Sequence, residues 1–177
     1  MIEKPKLVWI TGGTSGIGYS LVKRFINSEI HVLTTSHNRK KIIELEKIFS
    51  NFKNFHADFC DVRDADTIIK IISDYSSNFN IVSLINNAGI TSFSPFENNN
   101  LDEINSIIDT NLKGPIYTIK NLLPELIRNS GTIINILSVA AVEIFENSSL
   151  YAASKAGLLS FSNVLREELR KYNVRVI

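Results

Sequence analysis

Two residues able to exchange a proton with a carbon–oxygen group stand four apart in the run Tyr151-Ala-Ala-Ser-Lys155. On a helix that spacing puts both side chains on one face, one turn apart. A phenol beside an ammonium gives up its proton more easily than its ordinary pKa of about 10 suggests. Bringing a phenol near neutrality takes about 4 kcal/mol of differential stabilisation. A second positive charge nearby would help to supply it. The same spacing also arises in helices where the lysine merely lies over the ring with its head in water. The company the pair keeps has to decide.

A small apolar run, Thr132 to Leu137, reads as a strand and delivers Ser138 at its end; a loop follows, and a helical pattern opens at about Tyr151. Elsewhere short apolar runs alternate with longer helical ones. Strands are expected at Leu7 to Thr11, His31 to Thr35, Phe52 to Asp58, Ile81 to Asn86, Thr132 to Leu137 and Val174 to Ile177. Asn54 and His56 break the alternation of the third. Helices are expected at Ile17 to Asn27, Arg39 to Phe49, Ala65 to Tyr75, Leu101 to Leu126 and Tyr151 to Tyr172. Strand–helix alternation implies βαβ units and a parallel sheet covered on both faces. The expected fold is α/β: a doubly wound, Rossmann-like, three-layer sheet in a single domain over residues 1–177, with no repeat and no linker.

Thr11-Gly12-Gly13-Thr14-Ser15-Gly16-Ile17-Gly18 falls between the first strand and the first helix. Glycines there allow a tight turn, a close backbone approach to a pyrophosphate and tight helix–strand packing. A helix opening at Ile17 offers free N–H groups and a positive dipole end to phosphate. The Gly-x-x-x-Gly-x-Gly spacing differs from the common dinucleotide fingerprint, and no P-loop Gly-Lys-Ser/Thr is present. A turn that serves packing alone is the competing reading.

The 177 residues are 44% hydrophobic and 21% charged with a net charge of +1, ordinary for a soluble globular protein. That charge gives no reason to expect nucleic acid or an acidic membrane as partner, and no apolar run is long enough to span a bilayer. The N-terminus shows no signal-peptide pattern. Cys60 is the lone cysteine, and His31, His37 and His56 show no ligand spacing, so no metal site is expected. A cytoplasmic setting fits.

Together with Asn86-Asn87-Ala88-Gly89, Asn111, Ser138 and the Tyr151–Lys155 run, the glycine turn resembles the short-chain dehydrogenases/reductases, in their single-domain branch. The resemblance runs from about Leu7 to the end of the chain and keeps every motif in order. It implies that Tyr151 is the general acid/base for a carbonyl or alcohol. Lys155 would ease proton loss from Tyr151 and hydrogen-bond the nicotinamide ribose, and Ser138 would hold the substrate oxygen. Asn111 would anchor a proton-relay water. Pro115 gives a physical reason for a distortion at that point, because it cannot bond the carbonyl of Asn111 four residues back. Gly12, Thr14, Ser15, Gly16, Ile17 and Gly18 would hold the cofactor's phosphates, and Asn87, Ala88 and Gly89 its ribose. Asp61 and Val62 would contact adenine, with Asp58 as a competing register. Asn87 also suits a turn, Asn111 an incidental helix position, and Ser138 a strand-end cap. Pairing through the two long helices would give a homodimer or homotetramer.

NAD-users commonly place an acid just past the second strand to bind the ribose 2′-hydroxyl. Here the run is Thr35-Ser36-His37-Asn38-Arg39-Lys40-Lys41, with no acid and three successive bases. NADP is therefore favoured over NAD, with Ser36 and Arg39 or Lys40 at the 2′-phosphate and with His37 where many NADP-users carry Arg; a solvated helix start is the alternative. Glu143 and Glu146 depart from the small, apolar residues of many relatives, and solvent is favoured over a cationic substrate group for them. Trp9 and Phe161 read as core. Members of the family continue past a strand like Asn173 to Ile177 into a Pro-Gly turn, a substrate-covering segment and a further strand, none of which is present in these 177 residues. Two readings therefore stand beside an NAD(P)-dependent oxidoreductase: a non-catalytic nucleotide-binding or interaction protein, and a truncated inactive chain.

Overall fold

Successive side chains of a strand point to opposite faces, and in β1 (Lys6–Thr11) both faces are apolar. Leu7 and Trp9 enter one buried cluster, Val8 and Ile10 another. A strand apolar on both sides belongs inside a sheet covered twice. The computed structural model describes residues 4–28 and 30–177, so the first three residues of the N-terminal reading lie outside it. β1 pairs in parallel with β2 (His31–Ser36) and β4 (Asn80–Asn86). With β3 (Phe55–Phe59), β5 (Thr132–Asn135) and β6 (Arg175–Val176) they form a parallel sheet of order β3-β2-β1-β4-β5-β6.

Val22 of α1 (Gly16–Phe25) and Leu45 of α2 (Arg39–Ile48) cover the face of Val8 and Ile10. On the other face lie Ile68 and Ile71 of α3 (Ala65–Ser76), Ile119 and Leu122 of α5 (Gly114–Arg128), and Leu165 and Leu169 of α6 (Ser149–Arg170). Each large side chain so buried is worth roughly 1.5–3 kcal/mol. Trp9 also needs a partner for its indole N–H, and Nε1 donates to Thr35 Oγ1 at 3.0 Å. This is the expected three-layer, doubly wound, Rossmann-like fold, with Trp9 in the core and Phe161 packed against it.

Several boundaries differ, each for a local reason. The third strand begins at Phe55, because Phe52 still belongs to the turn after α2, its N–H bonding Phe49 O at 2.9 Å. Asn54 ties that turn down: its Nδ2 lies 2.9–3.2 Å from the carbonyls of Ile26, Ser28 and Ile30. The expected helix Leu101 to Leu126 is three pieces: α4 (Leu101–Ile108), a π-turn (Asp109–Lys113) and α5. Asn100 and Glu103 close a reciprocal capping box at its start. The fifth strand ends at Asn135, not Leu137, and the sixth is trimmed to Arg175–Val176. α6 starts at Ser149, two residues before Tyr151.

At the opposite end of the sheet from the glycine turn, His31 Nδ1 and His56 Nε2 share one hydrogen bond of 2.9 Å, their rings stacked with centroids 5.2 Å apart. Phe79 packs on both rings. Burial, then the neighbouring His31, holds His56 below its ordinary pKa. The unfolded chain therefore binds the proton more tightly, and the folded state loses stability as pH falls below about 6.5 and on through the folded value. The melting temperature should drop between pH 7.5 and 5.5, and His56→Phe should remove most of that drop. An unchanged pH dependence in the variant would assign the effect elsewhere.

Candidate active site

The sheet order reverses between β1 and β4, and their carboxyl ends open the crevice where open α/β sheets hold ligands. Side chains brace the two ends. Asn87 Nδ2 donates to the carbonyls of Thr11 and Gly12, each at 3.0 Å. Thr11 Oγ1 in return accepts the N–H groups of Asn87 and Ala88, each at 3.1 Å. Thr11 was not assigned a role from sequence, since a threonine ending a strand is unremarkable until its partner across the crevice is known.

A cleft of about 490 Å³ runs along this crevice. Gly12, Thr14, Ser15, Gly16 and Ile17 line it at the start of α1. Ser15 is the N-cap but makes no side-chain cap bond, and the first turn carries no acid. The N–H groups at this end thus face the cleft uncompeted, as an anionic group requires. Gly12 has φ +70°, and a Cβ there would stand 2.8 Å from Ala88 Cα. Only glycine leaves this backbone open to a ligand. Gly18 lies behind the cleft, packed against Asn87 and the Gly12 carbonyl. These features fit a dinucleotide pyrophosphate.

From the end of β2 to the first turn of α2, the lining residues are Thr35, Ser36, His37, Asn38 and Lys41. Arg39 is not among them; its guanidinium lies over the Phe59 ring, 3.9 Å from the centroid. Of the three successive bases, Lys41 lines the cleft, whereas Arg39 and Lys40 do not. Asn38 caps α2 by accepting from Lys41 N at 3.2 Å, which starts the helix at Arg39 and leaves Lys41 on the cleft side. Further along, Asp61 and Val62 line the cleft and Asp58 does not. Arg63 Nε and Nη2 bond the Asp61 carboxylate at 2.9 and 2.6 Å and hold it below the usual carboxylate range. Cys60 also borders the cleft, but burial pushes its thiol up to about 11, far from a reactive thiolate.

Tyr151 and Lys155 line the other end of the same cleft, near Asn87, Ala88, Gly89 and Ile90. They share a face of α6 as their spacing predicts: Lys155 Nζ stands 5.9 Å from the Tyr151 ring centroid. Lys155 is buried and donates to Ile136 O at 2.7 Å; the desolvation lowers its pKa from the ordinary lysine value. Ser138 follows β5 but does not line the cleft; its oxygen accepts from Ala140 N at 3.2 Å and caps a short 3₁₀ turn. Asn111 is fully buried in the π-turn and reaches the cleft wall at Ile90, whose N–H and C=O it bonds at 2.8 Å each. The local distortion expected from Pro115 is this π-turn, closed by Gly114 N–H on Asp109 O. Glu143 and Glu146 are exposed, as expected; with Phe96 and Ile144 they border a separate depression.

Among the described residues no group of three His, Cys, Asp or Glu is placed to hold a metal, and no helix is long and apolar enough to cross a membrane. Residues 6–177 match the short chain dehydrogenase family, so this chain belongs to that family. It is 32% identical over 181 residues to an uncharacterised oxidoreductase of Staphylococcus saprophyticus, covering 99% of this chain and 77% of the relative. It is 33% identical over 174 residues to sulfoacetaldehyde reductase 2 of Chromohalobacter salexigens, covering 96% and 69%. The closed form of serine dehydrogenase complexed with NADP+ superposes with a TM-score of 0.89 at 31% identity, covering 96% and 69%. The chain is an oxidoreductase-family protein on a family fold.

The two positive-φ glycines of the turn should respond differently to a methyl group. At Gly16 (φ +54°) a Cβ meets nothing within 4 Å, so Gly16→Ala should cost about 1–2 kcal/mol of backbone strain. Gly12→Ala adds a backbone clash and should cost at least about 1 kcal/mol more. Denaturant unfolding of the two variants measures the difference, and equal losses would refute the close approach to Ala88.

Proposed function

We propose that this chain is an NAD(P)-dependent oxidoreductase that interconverts a carbonyl and an alcohol on a small molecule, with Tyr151 as general acid/base. The observation that carries this reading is a single cleft bordered by Gly12, Ser15 and Gly16 at one end and by Tyr151 and Lys155 at the other. Two relatives, a sulfoacetaldehyde reductase and a serine dehydrogenase, support a carbonyl–alcohol reaction.

When bound, the nicotinamide supplies a hydride to the carbonyl carbon, or accepts one from the alcohol carbon. Tyr151 would give its phenolic proton to the carbonyl oxygen as that oxygen gains the electron pair, and take it back in the reverse direction. Lys155, fixed by Ile136 O, would place its ammonium beside the phenol and the nicotinamide ribose. Ser138 accepts from Ala140 with its oxygen and would spend its own proton on the substrate oxygen. The side chain of Asn111 is fully engaged with Ile90 and Ser154. Its main-chain carbonyl, which Pro115 cannot bond, would anchor the water that returns a proton to Tyr151.

The phosphates would sit on Gly12, Thr14, Ser15, Gly16 and Ile17, the ribose on Asn87, Ala88 and Gly89, and adenine beside Asp61 and Val62. NADP is favoured over NAD: the β2–α2 junction offers Ser36, His37 and Lys41 to the cleft and no acid. The NADP+ held by the related serine dehydrogenase supports that preference.

Tyr151→Phe should lower NADPH-dependent reduction of an aldehyde panel by about a hundredfold or more, while the Kd for NADPH changes by less than about threefold. Retained turnover would reject Tyr151 as the acid. Lys41→Glu should weaken NADPH by roughly tenfold or more, the scale of one charge-assisted hydrogen bond, and leave NADH within about twofold. Equal loss of both cofactors would remove Lys41 from the 2′-phosphate.

A further inference from the structure

We propose that Ser154 is a positioning residue for this reaction: acting through Asn111, it fixes the cleft wall at Ile90 relative to Tyr151 and Lys155. The inference rests on the reading of those two residues as the chemical pair, and the bonds behind it can be tested apart from that reading.

Ser154 stands between the pair on α6 and is fully buried. Its Oγ lies 2.7 Å from the carbonyl of Tyr151 and 3.1 Å from Asn111 Nδ2. A hydroxyl has one proton to give. The carbonyl can only accept it, so the serine oxygen accepts from the amide. The amide of Asn111 is then fully assigned. Its Oδ1 accepts the Ile90 N–H, one Nδ2 proton goes to Ile90 O, and the other goes to Ser154. Ile90 dictates which end of the amide is nitrogen, because a flipped amide would set two donors face to face. Ser154 supplies the remaining tie, from the π-turn to α6.

The consequence reaches the cleft. Ile90 lines it next to Gly89. A Cβ built on Gly89 would lie 3.2 Å from Asn111 Oδ1 and 3.8 Å from Lys155 Nζ. Gly89 thus sits beside both groups, so a rotation of the Asn111 amide, which breaks its bonds to Ile90, shifts the cleft wall next to the lysine. Without the serine hydroxyl, a buried N–H of Asn111 has no partner, and a buried donor left unmade drives such a rotation. Misplacement at this scale falls on the chemical step rather than on cofactor affinity.

Site-resolved amide hydrogen exchange tests the bonds directly, with Leu33 in the core as internal reference. In Ser154→Ala, Ile90 exchange should quicken by roughly tenfold or more while Leu33 stays within about twofold. The double variant Asn111→Ala, Ser154→Ala should exchange Ile90 no faster than Asn111→Ala alone, since both changes break one chain. In turnover assays Ser154→Ala should lower kcat about tenfold with the KM for NADPH within about twofold. Unchanged Ile90 exchange, an equal rise at Leu33, or additive effects in the double variant would each overturn the proposal. A wild-type chain that turned over no carbonyl would sink the oxidoreductase reading and leave the exchange ratio to decide whether Ser154 positions Ile90.

Discussion

One asparagine amide holds the two halves of the crevice together. Asn87 bridges from the end of β4 to the carbonyls of Thr11 and Gly12 on the glycine turn, and Thr11 answers with its hydroxyl. Each bond is worth about 1 kcal/mol net, yet leaving one of these half-buried groups unpaired costs up to roughly 3 kcal/mol. The turn after β1 therefore cannot drift from the strand beside it. Gly12 has to be glycine because its φ is +70° and Ala88 is drawn so close. The open start of α1 then faces the crevice in a fixed direction.

A second constraint works from the other side. Pro115 has no N–H for the carbonyl of Asn111, and the helical segment answers with a π-turn between α4 and α5. The widened turn carries Asn111 into the interior, where its side chain clamps Ile90 and meets Ser154 of α6. A deeper polar ladder ties the strands to the same helix: Asn86 Nδ2 bonds Asn135 Oδ1, and Asn135 Nδ2 bonds Ser162 Oγ, both at 2.8 Å. Tyr151 and Lys155 thus ride on a helix pinned to the sheet, the π-turn and the loop after β4.

Much of this was legible in the residues. Apolar strands alternating with helices announced the covered parallel sheet, and the glycine turn announced its crevice. Pro115 marked the distortion, and the Tyr-x-x-x-Lys spacing put both groups on one helical face. What was hidden depended on three-dimensional partners. Nothing local distinguishes Arg39 from Lys41 as the base facing the cleft; Phe59, twenty residues on, decides by stacking with Arg39. The start of β3 moved because Asn54 finds three carbonyls in the α1–β2 connection. Ser154 was hidden for the same reason: a small residue in a helix is ordinary until Asn111 appears opposite.

The most direct measurement of the central claim, that this crevice is a dinucleotide site, is a fluorescence titration of the folded 177-residue chain with NADPH, repeated with Gly12→Ala. Saturable enhancement is expected for the unaltered chain, with tighter binding than NADH gives and at least about tenfold weaker binding in the variant. No saturable signal from a folded, cooperatively melting protein would contradict the claim, and so would binding indifferent to Gly12→Ala.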